Sequence, residues 1–398
     1  MLAAVRVLAV GNMYPPHHLG GYELMWRSAM EHLRSVGHEV RVLTTDHRED
    51  SVDPSIEDEP GVHRELRWYW RDHAFPELGL RARFRLERHN DRVMARHLAE
   101  FDPQVVNWWA MGGMSMSLIE GVRRTGVPAA GVVVDDWMLY GPGVDGWQRA
   151  FGHRGVARLA EPLSGIATRL ELAQAASWVF VSDTVRRRAM EGGWEVGDAT
   201  VAHGGTDPDL FPRAPARPWT CKLLYVGRVD PRKGIATAIR AVAEIHDATL
   251  AVVGGGDERH LAELQDLVRE LGVGQRVRFA RHRREELAGV YASADAVLFP
   301  TLWEEPWGLV PLEAMSVGRP VIATGTGGSG EYLRDGVNCL LFSPPEGSIA
   351  LAEAIRRLAR DPDLRSRLRE GGFATAGRLT EDAFNRRVAA ALARAGGG

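Results

Sequence analysis

One feature constrains this chain more than any other: short apolar, β-rich runs alternate with segments of helical spacing, and the alternation runs through twice. It opens with a strand at Val5–Val10 and a helix over Tyr22–Val36, whose apolar positions are Leu24, Met25, Ala29, Leu33 and Val36. Gly37 stops the helix, and Val40–Thr44 reads as the next strand. Further runs at Val105–Trp109, Ala129–Val134 and Trp178–Val181 are bounded by turn residues, as strands buried on both faces are. Residues Phe211–Trp219 (FPRAPARPW) hold three prolines and read as a linker. Beyond it the pattern restarts with strands at Leu223–Val226, Thr249–Val253, Val277–Ala280, Ala296–Pro300 and Pro320–Thr324. Helical segments at Ala236–Ile245, Leu261–Leu271, Glu285–Ala292 and Leu309–Val317 lie between them. Such alternation implies an α/β chain of two Rossmann-like, doubly wound parallel-sheet domains. The expected division is 1–212, a linker at 213–219, 220–376, and a C-terminal segment 377–398 with an amphipathic helix at Glu381–Ala395.

Length agrees, since 398 residues exceed one ordinary core and suit two. A composition of 45% hydrophobic and 25% charged residues is that of a globular protein, and a net charge of −3 argues against a nucleic-acid binder. Cys221 and Cys339 follow no metal spacing and read as reduced core thiols of a cytoplasmic protein. The opening MLAAVRVLAVGN reads as a buried first strand rather than a signal peptide. With no run of about 20 apolar residues, no transmembrane helix is expected. Of 49 basic residues only Lys222 and Lys233 are lysines. A lysine retained on that background marks a place where a compact ammonium serves and a planar guanidinium does not.

Three stretches carry chemistry. In E-P-W-G-L-V-P-L-E, Glu305 closes a strand-to-helix loop and Gly308 opens the helix. Backbone N–H groups at Gly308–Val310 then point outward as an anion and hydroxyl site, and Glu313 follows one turn inside. Carboxylates accept paired sugar hydroxyls, although an acidic loop on a solvated helix face is the plain alternative. In V-G-R-V-D-P-R-K-G, Gly227 turns the chain at a strand end, and Arg228 and Lys233 suit a diphosphate. Arg232 reads as a solvated surface charge. G-G-S-G-E at Gly327–Glu331 admits close backbone approach, whereas Gly254–Gly256 lacks a dinucleotide fingerprint and reads equally as a tight turn.

Together these residues resemble the retaining glycosyltransferases of the GT-B fold, family four. The family pattern E-P-x-G-L-x-x-x-E-A-M-x-x-G-x-P-V is matched from Glu305 to Val321, and G-R-x-D-x-x-K-G at Gly227–Gly234. Tyr14–Glu23, Arg34–Thr44 and His203–Phe211 are similar to the family's opening and to the segment before its linker. The resemblance implies two domains facing a cleft, with the C-terminal helix crossing back to the N-terminal domain. It implies that Arg228 and Lys233, beside Gly227, bind the diphosphate of a nucleotide sugar. It implies further that Glu305 with the Gly308 and Leu309 amides holds the sugar, that Glu313 binds the ribose, and that Gly20 and Gly21 lie near the phosphates and acceptor. Transfer with retention, without metal, and with no cofactor beyond the nucleotide-sugar co-substrate is the implied activity. One departure stands out. Where the family carries a His after the fourth N-terminal strand, this chain has Asp135 and Asp136. Asp136 or His203 is the candidate substitute; a metal at the two aspartates is disfavoured because Arg228 and Lys233 already supply phosphate charge.

The acceptor side is less defined. Asp135, Trp109, Trp137 and Tyr140 are candidates, and Trp108–Trp109 with Met111–Met116 read either as an apolar acceptor pocket or as core. The acceptor is expected to be a small molecule, a saccharide or a lipid-linked group. Residues His63–Arg96 hold nine arginines against five acids, with Trp68, Tyr69, Trp70 and Phe75 among them. Either they contact the inner membrane face peripherally, or they form a solvated helical face over core aromatics. Rival readings of the whole chain are a catalytically impaired nucleotide-sugar-binding protein and a sugar-nucleotide epimerase. A NAD-dependent oxidoreductase shares the fold logic, but no complete G-x-G-x-x-G follows either first strand.

Overall fold

The structure, a computed structural model, describes residues 4–397 except 50–51, 54, 72–73, 152–153 and 345–346; the side chains of 154–158 are also outside it. The described residues form two compact units. The first runs to His203 and takes back the chain from Phe384; the second is Gly204–Ala383.

The first unit is built on seven parallel strands, β1 (Arg6–Val10), β2 (Glu39–Thr45), β3 (Val62–Leu66), β4 (Val105–Trp108), β5 (Ala129–Val133), β6 (Ser177–Phe180) and β7 (Thr200–Val201). Their order is β3-β2-β1-β4-β5-β6-β7. Every residue of β4 and β5 is buried, which is why they read as unbroken apolar runs. β3, with the sequence VHREL, is an edge strand whose first four residues are only half-buried, and no apolar pattern announces it.

The second unit holds six parallel strands in the order β10-β9-β8-β11-β12-β13. These are β8 (Lys222–Val226), β9 (Thr249–Val253), β10 (Val277–Ala280), β11 (Ala296–Phe299), β12 (Val321–Ala323) and β13 (Leu340–Leu341). Ile235, Ile239 and Val242 of helix Ile235–Ala243 pack with Leu250, Leu298 and Ile355 into its core. Helix starts are set locally. Asp257 accepts the Arg259 and His260 amides ahead of helix Glu258–Glu270, and Asp361 accepts the Leu364 amide ahead of Pro362–Ala376.

Strand order reverses between β1 and β4 in one sheet and between β8 and β11 in the other. Loops leaving the carboxyl ends of those pairs flank the crevice where doubly wound sheets bind ligands. The loops concerned carry Gly20–Gly21 in the first unit, and Gly227–Gly234 and Glu305–Leu309 in the second.

The boundary falls earlier than residue 212. Phe211 is buried against Tyr291, ring centroids 5.8 Å apart, and its carbonyl accepts the Ser316 hydroxyl at 2.7 Å. The proline-rich stretch 213–219 is also fastened to the second unit. The Ala214 amide donates to Val317 O, Arg369 and Arg319 donate to the Ala214 and Pro215 carbonyls, and Arg217 pairs with Asp295. Proline content marks where the chain lacks sheet and helix; it does not make the segment free. Helix Glu381–Ala395 closes on the first unit, with Phe384 edge-on to Trp109 at 6.4 Å and Asn385 Nδ2 donating to Ser28 Oγ at 2.8 Å.

Candidate functional site

Two loops beside the β8/β11 reversal are locked together by backbone. Gly234 ends the 3-10 turn Pro231–Lys233 at φ +69°, and a Cβ there would lie 2.0 Å from the Pro300 carbonyl oxygen. Only glycine lets these two strand ends meet. Leu302 N–H donates to Arg232 O at 2.7 Å across the same seam. On the far side, Gly327 has φ +63°, and a Cβ there would lie 2.4 Å from Glu305 O. Gly328 N–H donates to that same oxygen at 2.7 Å. Both glycine-bearing loops therefore press on the segment that presents Glu305. The Gly254–Gly256 run belongs to this frame too: Val229 N–H donates to Gly255 O at 2.8 Å, bracing the loop after β8.

The result is a compact polar cluster. Lys233 Nζ lies 2.6 Å from Glu305 Oε2, which also accepts the Trp303 indole N–H at 2.9 Å. Both side chains are mostly buried, at 20% and 12% exposure. Arg228 donates to Asp230 Oδ2 at 2.9 Å and is 42% exposed. Asp230 caps the 3-10 turn and is shared with Arg232, whose hydrogen bonds hold its carboxyl well below the ordinary carboxylate range. Arg232 is not a plain surface charge, because its guanidinium also covers the Trp303 ring at 4.5 Å. Three cations thus face two carboxylates, an excess of positive charge suited to an anion.

Helix Val310–Val317 begins next to this cluster, with Pro311 in its first turn and Gly308 and Leu309 just outside. Its first amides have no partner within the helix. Tyr332 fixes the entry by donating to Gly308 O at 2.5 Å. Glu313 lies deeper, at 6% side-chain exposure. Its Oε2 accepts the Tyr291 hydroxyl at 2.7 Å and its Oε1 lies 3.2 Å from Arg284 Nη1. Tyr291 and Arg284 have no motif around them, and their tie to Glu313 was not legible from spacing.

In the first unit Gly20 and Gly21 are exposed at the start of helix Gly21–Ser35, where the Gly20 amide donates to Glu23 Oε2 at 3.1 Å. After β5, Asp135 accepts the Tyr140 hydroxyl at 2.9 Å and the Trp137 amide at 3.2 Å. Burial pushes its carboxyl up to about 7 against those two hydrogen bonds. Asp136 pairs with Arg188 at 2.7 Å. Tyr140 is 38% exposed.

Two expectations for the acceptor side need correction. Trp109 and Trp137 are fully buried. Trp109 stacks on Trp26 at 6.0 Å and donates to Asn107, and Trp137 packs edge-on to Trp178 at 5.8 Å. Trp108, Met111, Met114 and Met116 are equally enclosed, so this stretch is core and offers no face to an acceptor. Among the described residues, the one group able to offer three ligand atoms to a metal is His63, Glu65 and His97, which does not include the two aspartates. Arg96 pairs with Glu65, and Arg41 lies 3.4 Å from His97 Nδ1, so guanidiniums already occupy that cluster.

The family model "Glycosyl transferases group 1" matches residues 215–375. A D-inositol 3-phosphate glycosyltransferase of Corynebacterium jeikeium (strain K411) is 42% identical over 161 residues, covering 37% of this chain and 38% of that protein. A glycogen synthase of Mycobacterium tuberculosis (strain H37Rv) is 34% identical over 207 residues, covering 50% and 48%. The chain therefore spans between a third and a half of the curated relatives it matches. Among solved structures, sucrose-phosphate synthase from Thermosynechococcus elongatus superposes with a TM-score of 0.72 at 22% identity, covering 97% of this chain and 98% of that one. Anabaena HepE in complex with UDP-glucose superposes with a TM-score of 0.70 at 20% identity, covering 98% and 100%. The parallel sheets, the reversal-point loops and these matches agree: the second unit is similar to the glycosyl transferases group 1 family over residues 215–375, and the two parallel-sheet units have the GT-B fold.

Proposed function

We propose that this protein transfers a sugar from a nucleotide-diphosphate sugar to an acceptor hydroxyl, with retention at the anomeric carbon and without a metal ion. The observation that carries the reading is the Lys233–Glu305 contact of 2.6 Å beside the start of helix Val310–Val317. Cation, carboxylate and helix start together match a pyrophosphate joined to a polyhydroxylated ring. Arg228 and Lys233 take the diphosphate, with Gly227 allowing its approach. Glu305 and the Gly308 and Leu309 amides take the sugar hydroxyls, and Glu313, held by Tyr291 and Arg284, takes the ribose. That HepE was crystallised with UDP-glucose supports a donor of this class.

In the reaction the bond from C1 to the phosphate oxygen breaks and negative charge grows on the diphosphate. Lys233, Arg228 and the helix amides stabilise it in place; preorganised donors of this kind contribute about 3–4 kcal/mol each. The acceptor oxygen bonds C1 from the face the phosphate leaves, and its proton passes to the departing phosphate oxygen. Gly20 and Gly21, exposed at the start of helix Gly21–Ser35, are assigned to the same reaction on the strength of the family resemblance. Asp136 and Asp135 serve the acceptor side, Asp135 with a carboxyl poised near neutral pH. A second reading, a nucleotide-sugar-binding protein with impaired turnover, draws on the aspartates standing where the family carries His. Donor hydrolysis separates the two: slow release of nucleoside diphosphate, dependent on Lys233 and surviving EDTA, supports transfer. Donor binding with no release under any condition supports the impaired binder.

A further inference from the structure

Two neighbouring strand ends in the first unit carry aromatic rings that its core does not absorb. β2 and β3 run parallel with Thr45 level with Leu66, so His47 and Trp68 leave the carboxyl edge of the sheet side by side. Trp70 joins them. The ring centroids lie 5.7 Å apart for His47 and Trp68, 5.2 Å for His47 and Trp70, and 4.8 Å for Trp68 and Trp70. All three side chains are half-buried, whereas Tyr69 between the tryptophans is turned into the core and donates to Glu87 at 2.7 Å. The segment is held from beneath. Buried Asn90 accepts the Arg67 amide at 2.8 Å and donates to the Arg67 carbonyl at 2.7 Å, and the Tyr69 amide donates to Gly113 O at 2.7 Å. On the other side, His47 Nε2 lies 2.8 Å from Glu49 Oε1, and the Glu49 amide donates to Nδ1 of buried His17 at 3.0 Å. His17 belongs to the loop that runs from β1 to Gly20 and Gly21, so the rings are tied to that loop. Exposed Asp46 and half-buried Glu49 flank His47 in the chain.

We propose that His47, Trp68 and Trp70 form a platform on which a pyranose ring of the acceptor stacks, so that the acceptor is a saccharide. The proposal rests on the transferase reading above and names the class of its second substrate. One face of a pyranose presents C–H bonds, which suit the negative face of an indole, and its rim presents hydroxyls, which carboxylates accept. Aromatic rings at the carboxyl edge of a doubly wound sheet stand where such folds take their ligands. Rings that only complete a core would be covered as Tyr69 is. A bare hydrocarbon ligand would leave Asp46 and Glu49 with no hydroxyl to accept. The ties from Asn90, Gly113 and His17 fix the platform before the ligand arrives, which lowers the ordering cost of binding.

The test is saturation-transfer NMR of the full chain with the methyl α-pyranosides of glucose, galactose and mannose, with hexanol as the apolar control. At least one glycoside binds saturably, with transfer strongest at its ring C–H protons. Trp68→Ala lowers its affinity by about tenfold at an unchanged melting temperature, and Trp68→Phe, which keeps a ring, loses about threefold or less. If Trp68→Ala misfolds, His47→Ala, on the adjoining strand end, carries the same expectation. A purely structural role would lower the melting temperature of these variants and leave their affinity unchanged. Three results overturn the proposal: no glycoside binds, the alanine variants bind as the wild type does, or hexanol binds where the glycosides do not, which assigns the rings to an apolar group instead. Nucleoside diphosphate binding by the second unit is read separately by calorimetry. Its absence beside glycoside binding that depends on Trp68 would reject the transferase reading and keep the platform; the reverse pattern would reject the platform alone.

Discussion

At Lys233 an ammonium and an indole N–H converge on one carboxylate oxygen of Glu305, at 2.6 and 2.9 Å. Replacing Lys233 by alanine removes the cation but leaves the Trp303 donor, so the loop stays formed while the diphosphate loses its partner. Lys233→Ala is expected to lower kcat/KM by roughly 10²–10³-fold at near-normal melting temperature. Near-normal turnover would remove Lys233 from the site. Tyr291→Phe leaves a buried carboxylate oxygen of Glu313 without its donor and should cost about 1–3 kcal/mol by denaturant titration, weakening nucleotide binding with it. Asp135 gives a pH prediction. Its folded carboxyl titrates at about 7, above the ordinary carboxylate value, chiefly through burial. The folded state thus holds a proton the unfolded chain has released. The stabilisation is complete below the unfolded pKa and is lost as pH rises through the folded one. Asp135→Asn should flatten the fall in melting temperature between roughly pH 4 and 7; an unchanged slope would contradict the assignment. Of these side chains, Lys233, Glu305 and Glu313 were legible because motif spacing and lysine scarcity mark them. Arg284 and Tyr291 were not, since a buried carboxylate finds its partners through tertiary packing.

Strands and their connecting loops obey the same division. β1, β4, β5, β8, β9, β11 and β12 announce themselves as apolar runs because helices or other strands cover them. β3 escaped notice because an edge strand keeps polar residues on its open side. Helix Leu80–Phe101 was blurred by its arginines, although Leu86, Val93, Met94 and Phe101 keep the helical period. The Trp108–Trp109 and Met111–Met116 stretch read equally as pocket lining or as core for a related reason: aromatic and thioether side chains serve core and ligand site alike, and composition does not tell which way a strand's end turns. Loops are where glycine decides. A methyl at Gly327 would meet Glu305 O at 2.4 Å on a backbone of positive φ. Gly327→Ala is expected to cost about 1–2 kcal/mol from backbone strain alone. Because it displaces the Glu305 segment, it should weaken donor binding by more than that; a fall in stability with unaltered binding would show that the Gly327 loop does not position Glu305.

Across the whole molecule the fold was largely written in the alternation of strand and helix, which a parallel sheet covered on both faces buries, and in its restart after the proline-rich stretch, which divides it into two such sheets. The point of division was less legible. Phe211 and the proline-rich stretch after it are tied to the second unit by side chains far along the sequence, Tyr291, Ser316, Arg319 and Arg369. The closing helix completes the first unit, with Phe384 against Trp109 and Asn385 donating to Ser28. Truncation after Ala383 should therefore destabilise the first unit by about 3–5 kcal/mol, the scale of deleting a large core aromatic. Domain-resolved hydrogen exchange would read this as faster exchange in β1 and β4, with β8 and β11 unaffected. The central claim, a diphosphate held by the second unit, is tested most directly by calorimetric titration of the wild type and Lys233→Ala with a panel of nucleoside diphosphates. The account predicts saturable binding of at least one of them to the wild type and an affinity at least tenfold lower in the variant at equal melting temperature. Binding of equal strength to both proteins, or to neither, would contradict it.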